Sequence, residues 1–226
     1  MNLSRRLCQW YLKAHRDLPW RLTKDPYKIW ISEVMLQQTR AAAVIPYYER
    51  FLHLFPNIQA LAKAAETDLL HVWSGLGYYS RARNLHKAAQ QISRAGTFPA
   101  SYVAIRALPG VGDYTAAAVA SIAFGLPHAV LDGNVIRVFA RLSNESGDVK
   151  QGPTRKRLQL LAQQYLDPTQ PDTYNQALME LGATICLPRN PKCLYCPIND
   201  SCRARKLGLQ NTLPIKGRAA DVIEEE

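Results

Sequence analysis

Apolar residues recur at helical spacing along almost the whole chain, and prolines and glycines cut that pattern into short pieces. Leu85, Ala88, Ala89 and Ile92 form one apolar face, and Leu158, Leu161, Ala162 and Tyr165 form another. The interruptions fall at Pro19, Pro26, Pro46, Pro56, Gly75 with Gly77, Gly96 with Pro99, Pro109 to Gly112, Pro127, Gly152 with Pro153, Pro168 and Pro171. No stretch alternates apolar and polar residues as a half-buried strand would. The pattern predicts an all-α fold of many short helices joined by tight turns, without a solenoid repeat.

Composition narrows the class. At 226 residues the chain can bury a substantial core in one or two domains, and 47% hydrophobic with 20% charged residues is an ordinary globular mix. Lys plus Arg number 28 against 18 Asp plus Glu, a net charge of +10. That surplus favours polyanions, nucleic acid before an anionic membrane. The apolar stretch 116–126 ends at Pro127 and His128, short of the ~18 residues that a membrane span needs. The first residues, Met1 to Arg6, lead into Trp10, Lys13, His15 and Arg16 instead of a continuous apolar segment, so no secretory leader is expected. A reducing, cytoplasmic setting follows.

Four of the five cysteines agree with that setting, because they sit in one short segment instead of being spread as a disulfide framework. Cys186, Cys193, Cys196 and Cys202 are spaced C-x6-C-x2-C-x5-C, with Pro188, Pro191 and Pro197 turning the chain between them. Four thiolates so close in sequence suit either a tetrahedral zinc or an iron–sulfur cluster. Cys8 stands outside the pattern and reads as a buried thiol.

Leu108-Pro109-Gly110-Val111-Gly112-Asp113-Tyr114-Thr115-Ala116 opens an Ala-rich helix. Gly110 and Gly112 let a tight turn present backbone amides at a helix N-terminus, where a phosphate can dock without its sequence being read. The run resembles the helix-hairpin-helix of DNA-binding proteins. A second glycine turn, Gly75-Leu76-Gly77-Tyr78-Tyr79, precedes Arg81, Arg83, His86 and Lys87. Aromatics at such a tip can enter a base stack while Arg81 and Arg83 hold phosphates; the plainer alternative is a solvated basic helix face.

Two carboxylates stand out. Glu33 has Ile29, Trp30 and Leu36 as helical neighbours. At its ordinary pKa of ~4.3 it would be ~0.2% protonated at pH 7, whereas desolvation to ~6 would give ~10%, enough for a general acid. A place in water on the helix rim is the alternative. Asp132 precedes Gly133-Asn134-Val135-Ile136, a helix start, so it reads as an N-cap whose carboxylate the helix dipole keeps ionised. One carboxyl biased protonated and one biased ionised is the pair that cleavage of a glycosidic bond through an oxocarbenium-like transition state requires.

Taken together, the hairpin, Asp132 and the four-cysteine loop resemble the endonuclease III superfamily of DNA glycosylases, and that resemblance turns the metal toward a four-iron four-sulfur cluster. Ser32-Glu33-Val34-Met35-Leu36-Gln37-Gln38-Thr39, Gly75-Leu76-Gly77-Tyr78-Tyr79-x-Arg81-x-Arg83-Asn84-Leu85-His86 and Leu131-Asp132-Gly133-Asn134-Val135 resemble its MutY adenine-specific branch. The match runs from about Trp10 to about Lys216. It implies that Glu33 protonates adenine N7, that Asp132 stabilises the cationic sugar directly or through a transient covalent bond, and that Asn134 and Tyr114 support the two acids. Trp20, Arg21 and Gln176 would form the pocket of the flipped adenine. Gln38, Thr39 and Tyr79 would flank the vacated space and touch the opposite base, 8-oxoguanine or guanine.

Strand-cutting members carry a lysine at position 114, so Tyr114 implies a monofunctional glycosylase. The runner-up readings are a thymine mismatch glycosylase, an endonuclease III-like lyase and, outside enzymes, an iron–sulfur DNA-binding module. Asp113 departs from the pattern by placing a negative charge in the phosphate-binding hairpin. The family usually continues into a Nudix-like lesion-reading domain, and this chain ends where that linker begins. The implied architecture has two lobes: a six-helix barrel over 18–127, and an iron–sulfur cluster module over 1–17 and 128–213, with 214–226 as a linker or tail. DNA would lie over the cleft between Glu33 and Asp132. The expected partner is double-stranded DNA with adenine mispairs, bound by a monomer in a bacterial cytoplasm, at the nucleoid, and not at a membrane.

Overall fold

The computed structural model describes residues 3–217. Met1, Asn2 and residues 218–226, including the closing run Glu224 to Glu226 expected to form a tail, lie outside the described residues. Among the described residues there is no strand, and twelve α-helices follow one another. They group into two compact units. Residues 16–130 and 167–175 make the hairpin unit; residues 3–15, 131–166 and 176–217 make the cysteine unit.

The chain enters through α1 (Leu3–Ala14), which buries Leu3, Leu7, Cys8 and Tyr11 in the cysteine unit. The hairpin unit follows with α2 (Pro26–Met35), α3 (Ala41–Leu54), α4 (Ile58–Lys63), α5 (Glu66–Trp73), α6 (Ser80–Ala95), α7 (Tyr102–Arg106) and α8 (Asp113–Phe124). Helix α2 starts where Asp25 caps the amide of Tyr27 at 2.9 Å and Pro26 occupies the first turn, which needs no donor there. Asn57 caps α4 through Ala60 and Ser101 caps α7 through Ala104. Two helices form the middle of the unit, because α2 is buried along Tyr27 and Ile29 to Met35, and α8 along Thr115 to Ile122. They pack on each other, and the alanines of α8 permit the close approach. Leu85, Ala88, Ala89 and Ile92 of α6 are buried on one face as their spacing requires.

Pro46, expected to interrupt a helix, lies inside α3. It and Ala42 are exposed, so the carbonyl that loses its partner to the proline faces water, where the cost is small.

The cysteine unit continues with α9 (Gly133–Ser143), α10 (Gly152–Tyr165), α11 (Pro171–Thr184) and the short α12 (Arg203–Lys206). The first residues of α11, 171–175, group with the hairpin unit. Asn175 shows why. Its buried carboxamide donates to Ser121 Oγ and to the carbonyl of His128, both at 2.8 Å, and accepts from the amide of Val130 at 3.2 Å. Chain 128–130 and the start of α11 are thereby tied to α8.

Candidate active site

Helix α2 carries Glu33 into the core of the hairpin unit, where it is only 4% exposed. The phenol of Tyr114, at the start of α8, donates to Glu33 Oε2 at 2.7 Å. Just past the end of α2, Gln37 Nε2 donates to Thr115 Oγ1 at 3.3 Å. The first turn of α8 thus meets α2 and the turn that follows it through two side chains, and the carboxyl is oriented by a phenol instead of lying on a wet rim.

Tyr114 reaches that position from a hairpin packed tightly against α6. Gly110 has φ +74°, and a Cβ there would sit 2.6 Å from Asn84 Cβ, so only glycine fits the turn against α6. Gly112 is different: its backbone is extended, and a Cβ would meet nothing within 4 Å. As the N-cap of α8 it offers no side-chain acceptor, which leaves the first-turn amides of α8 without a side-chain cap. Asp113 turns back into the hairpin. It accepts from Arg106 Nε at 2.6 Å and from the Tyr102 phenol at 3.3 Å, and Arg106 also donates to the carbonyl of Val111. The Arg106 guanidinium holds the Asp113 carboxyl below the usual range, so its charge is neutralised locally.

Arg81 has another task than the phosphate contact expected of it. Its Nη1 donates to the carbonyls of Val34, Met35 and Gln37, and its Nη2 to those of Leu76 and Gly77. Its guanidinium also lies 5.5 Å from the Trp73 and Tyr78 ring centroids. With both terminal nitrogens spent, it clamps the end of α2 to the glycine turn. Arg83 is exposed and paired with Glu66 at 2.9 Å. The turn held by Arg81 presents Tyr78 more than Tyr79: Tyr78 is 60% exposed with φ +49°, Tyr79 42% exposed. Tyr78 is therefore the aromatic that the turn projects, and its place directly after Gly77 was the available signal. Gln38, also at positive φ (+60°), is exposed, and Thr39 donates weakly to the carbonyl of Gln37. Trp20 and Arg21 form a short 3-10 turn in which Trp20 is buried edge-on to Tyr48 and Arg21 donates to the carbonyl of Arg16.

In the cysteine unit, Asp132 is the N-cap of α9: Oδ1 accepts from the amide of Val135 at 2.7 Å, and Oδ2 from Asn134 Nδ2 at 3.0 Å. Burial pushes its carboxyl above the usual range, although both hydrogen bonds and the charge of Arg137 pull the other way. The helix start favours the ionised form, and desolvation is the larger, opposing effect. Arg137, to which nothing in the sequence assigns a role, donates to Asn134 Oδ1 and Gly182 O at 2.8 Å and to Cys186 O at 2.7 Å. A continuous set of contacts thus runs from Asp132 through Asn134 and Arg137 to the first cysteine. Gly182 permits it, since a Cβ there would overlap Asn134 Cβ at 2.5 Å. Gln176, on α11, accepts from the Tyr11 phenol at 3.1 Å.

Among the described residues, no three Cys, His, Asp or Glu side chains are set to hold a metal ion as they stand. The donor set nonetheless has the chemistry of a thiolate site. Burial pushes the Cys196 thiol up to about 12, and the neighbouring Cys186, Cys202 and Cys193 raise it further; Cys202 is raised by burial and by Cys186 and Cys193. Thiols whose ionisation burial and neighbouring sulfurs oppose, as at Cys196 and Cys202, are residues that a positively charged metal group would compensate. Arg141, 2% exposed, anchors the loop by donating to Cys186 Sγ at 3.3 Å and to the carbonyls of Leu187, Pro188 and Leu213.

An all-helical chain with a rigid helix-hairpin-helix turn, a buried acid hydrogen-bonded from that hairpin's second helix, and a separate four-cysteine loop defines a helix-hairpin-helix DNA-repair protein. Comparison with known proteins agrees. The model of the HhH-GPD superfamily of base excision DNA repair proteins matches residues 31–164, and the chain belongs to that superfamily. It is 43% identical to the adenine DNA glycosylase of Rattus norvegicus over 97% of this chain and 45% of that protein. It is 40% identical to the adenine DNA glycosylase of Buchnera aphidicola subsp. Acyrthosiphon pisum over 99% of this chain and 67% of that protein. A solved thermostable thymine-DNA glycosylase superposes with a TM-score of 0.82 at 31% identity, covering 90% of this chain and 95% of that one. The chain spans about half the length of the mammalian relatives it matches. No helix among the described residues is long and apolar enough to cross a membrane.

Proposed function

We propose that this protein is a monofunctional adenine DNA glycosylase that acts as a monomer on double-stranded DNA carrying adenine opposite 8-oxoguanine or guanine, in a bacterial cytoplasm. The observation that carries the reading is the 2.7 Å hydrogen bond from Tyr114 to the buried Glu33. It supplies an acid held in apolar surroundings, and it puts a phenol where strand cutting through a Schiff base would need an amine.

In the proposed reaction the adenine nucleotide leaves the stack, and Tyr78 and Tyr79 with Gln38 and Thr39 occupy or flank the gap and meet the opposite base. Trp20, Arg21 and Gln176 receive the adenine. Glu33 delivers its proton to adenine N7, the bond between N9 and the sugar C1′ breaks, and the electron pair leaves with the base. Asp132, oriented by Asn134, stabilises the positive charge on the sugar. Water adds to C1′ and returns a proton to Glu33, leaving an abasic site and an uncut strand. The amides near Gly110 and Gly112 hold the DNA backbone. Cys186, Cys193, Cys196 and Cys202 would hold a four-iron four-sulfur cluster, which supplies a compact cross-link to a loop with little regular structure of its own.

The superposition on a thymine-DNA glycosylase supports thymine excision as a second reading. One assay separates the two. Duplexes carrying adenine opposite 8-oxoguanine, guanine or thymine, and thymine opposite guanine, are incubated with the protein and then treated with alkali. Alkali-dependent cleavage at adenine opposite 8-oxoguanine and guanine is expected, with none at thymine. Glu33→Gln should abolish it while duplex affinity stays within about tenfold, because phosphate contacts carry binding and the acid acts in the transition state.

A further inference from the structure

One side chain in the hairpin unit joins the aromatic tip of the glycine turn to the helix that carries the acid. Arg81, the second residue of α6, grips Tyr78 from both sides: its backbone amide donates to the Tyr78 carbonyl at 2.9 Å, and its Nη2 donates to the preceding carbonyls of Leu76 and Gly77 at 3.0 and 3.2 Å. Its guanidinium lies 5.5 Å from the centre of the Tyr78 ring. The other terminal nitrogen, Nη1, donates to the carbonyls of Val34 and Met35 at 3.0 and 3.1 Å and to that of Gln37 at 2.6 Å. Val34 directly follows Glu33, and both lie in the last turn of α2, where end carbonyls are short of donors and favour a cation. The turn is braced a second time by Trp73, whose Nε1 donates to the carbonyl of Gly77 at 3.1 Å. Tyr78 itself sits at φ +49°, a conformation that a bulky residue keeps only when its surroundings enforce it.

We infer that Arg81 is a positioning residue of the excision reaction: it ties the Tyr78 tip and the Glu33 helix into one frame, so that seating Tyr78 in the duplex sets where the acid stands over the departing base. The inference rests on the glycosylase reading above. A tip on a loose turn would take up the strain of insertion in its own backbone, and nothing would reach the acid. A tip held through charge-assisted bonds to the end of α2 carries the acid with it. The precision matters because proton transfer needs hydrogen-bond reach, and a misplacement of about 1 Å can cost on the order of 100-fold in rate. The two contacts around Glu33 then divide the work. Tyr114 orients the carboxyl within the protein, and Arg81 registers it against the DNA.

The test is a double-mutant cycle on the intact protein: parent, Tyr78→Ala, Arg81→Lys and the double variant, each assayed for single-turnover excision of adenine opposite 8-oxoguanine at saturating protein, and for duplex dissociation constant. Lysine keeps the charge but has no planar fork to serve two sets of carbonyls. Arg81→Lys should lower the rate roughly 10- to 100-fold with affinity within about tenfold. Tyr78→Ala should cost the parent about tenfold, and the Arg81→Lys protein no more than about threefold, because the register that Tyr78 supplies is already lost. An arginine that only stabilises the fold lowers the unfolding temperature and leaves the two losses multiplicative. Multiplicative losses, or a parental rate in Arg81→Lys, overturn the proposal. Should Arg81→Lys not fold, Tyr78→Ala decides alone, since Tyr78 is 60% exposed and its truncation leaves the core intact. With 2-aminopurine replacing the target adenine, its fluorescence must then rise on binding as in the parent, while adenine excision falls. A parental excision rate, or a fluorescence rise lost together with the rate, places Tyr78 outside the register and overturns the proposal. A parent that excises no adenine overturns the glycosylase reading and the positioning role with it; a parent that excises while the variants fail the cycle overturns the positioning role alone.

Discussion

Gly110 and Gly112 belong to one motif and look equivalent in sequence, yet the structure predicts opposite consequences for adding a methyl group to each. Gly110→Ala forces a left-handed backbone on a residue with a Cβ, which costs ~1–2 kcal/mol. It also drives that Cβ to 2.6 Å from Asn84 Cβ, so α6 or the turn must shift, adding the ~1–3 kcal/mol typical of overpacking. The total, about 2–5 kcal/mol, corresponds to a fall in Tm of roughly 5–15 °C for a chain of this size. Gly112→Ala meets open space and an extended backbone. A small gain from a stiffer unfolded chain offsets a slightly poorer N-cap, so the net stability change lies within about 1 kcal/mol. The new methyl instead stands near the first-turn amides of α8 and weakens duplex binding by about tenfold. Thermal unfolding followed by tryptophan fluorescence suits the measurement, since Trp20, Trp30 and Trp73 all lie in the hairpin unit. Equal destabilisation by the two variants, or Gly112→Ala binding DNA like the parent at unchanged salt, would refute the division of labour argued here.

Tyr114→Phe removes the donor to Glu33 without opening space, so single-turnover excision should fall about tenfold while duplex affinity holds; an unchanged rate would leave the phenol with a packing role only. Burial raises the Asp132 carboxyl, and the proposed reaction uses its ionised form, so the rate should fall with acid around a pKa above the ordinary carboxylate value. Asn134→Ala deletes a hydrogen bond that favours that ionised form, and must move the acidic limb to higher pH; a shift to lower pH contradicts the assignment. Purified protein should be brown with iron and sulfide in equal amounts, and Cys193→Ser should lose both; stoichiometric zinc without sulfide points to the other metal. Arg141→Met leaves three loop carbonyls without their donor, so it should destabilise the cysteine unit by about 3–5 kcal/mol, seen as a lower denaturation midpoint in urea.

Local rules made much of this fold legible. The helical period put Leu85, Ala88, Ala89 and Ile92 on a buried face, because amphipathic spacing is a property of one helix. The hairpin was legible for the same reason, since a tight turn and its glycines are neighbours in sequence. Pro46 misled, because a helix tolerates a proline more readily where the carbonyl that loses its partner faces water, and exposure is not written locally. What escaped entirely were the long polar side chains that hold the site from a distance. Arg137 reaches the carbonyl of Gly182 and Asn175 the amide of Val130, each across 45 residues of sequence. Their partners are backbone groups, which every residue has, so no residue type marks the pairing.

The same blindness bears on the charge argument. A surplus of +10 counts every cation as available to a polyanion. Arg141 is almost wholly buried, Arg137 lies against the carbonyls of Gly133, Gly182 and Cys186, and Arg81 holds five more. Each of these guanidiniums is committed to backbone acceptors, so none contributes a freely placed contact to DNA phosphates. The salt dependence of duplex binding, about −0.9 in log–log slope per phosphate neutralised, should therefore be lower than the count of arginines flanking the hairpin and Asp132 suggests. If Arg83→Ala and Arg106→Ala leave that slope unchanged as well, the phosphates are held by backbone amides and by lysines elsewhere, and the basic composition is a guide to the partner without being a map of the interface.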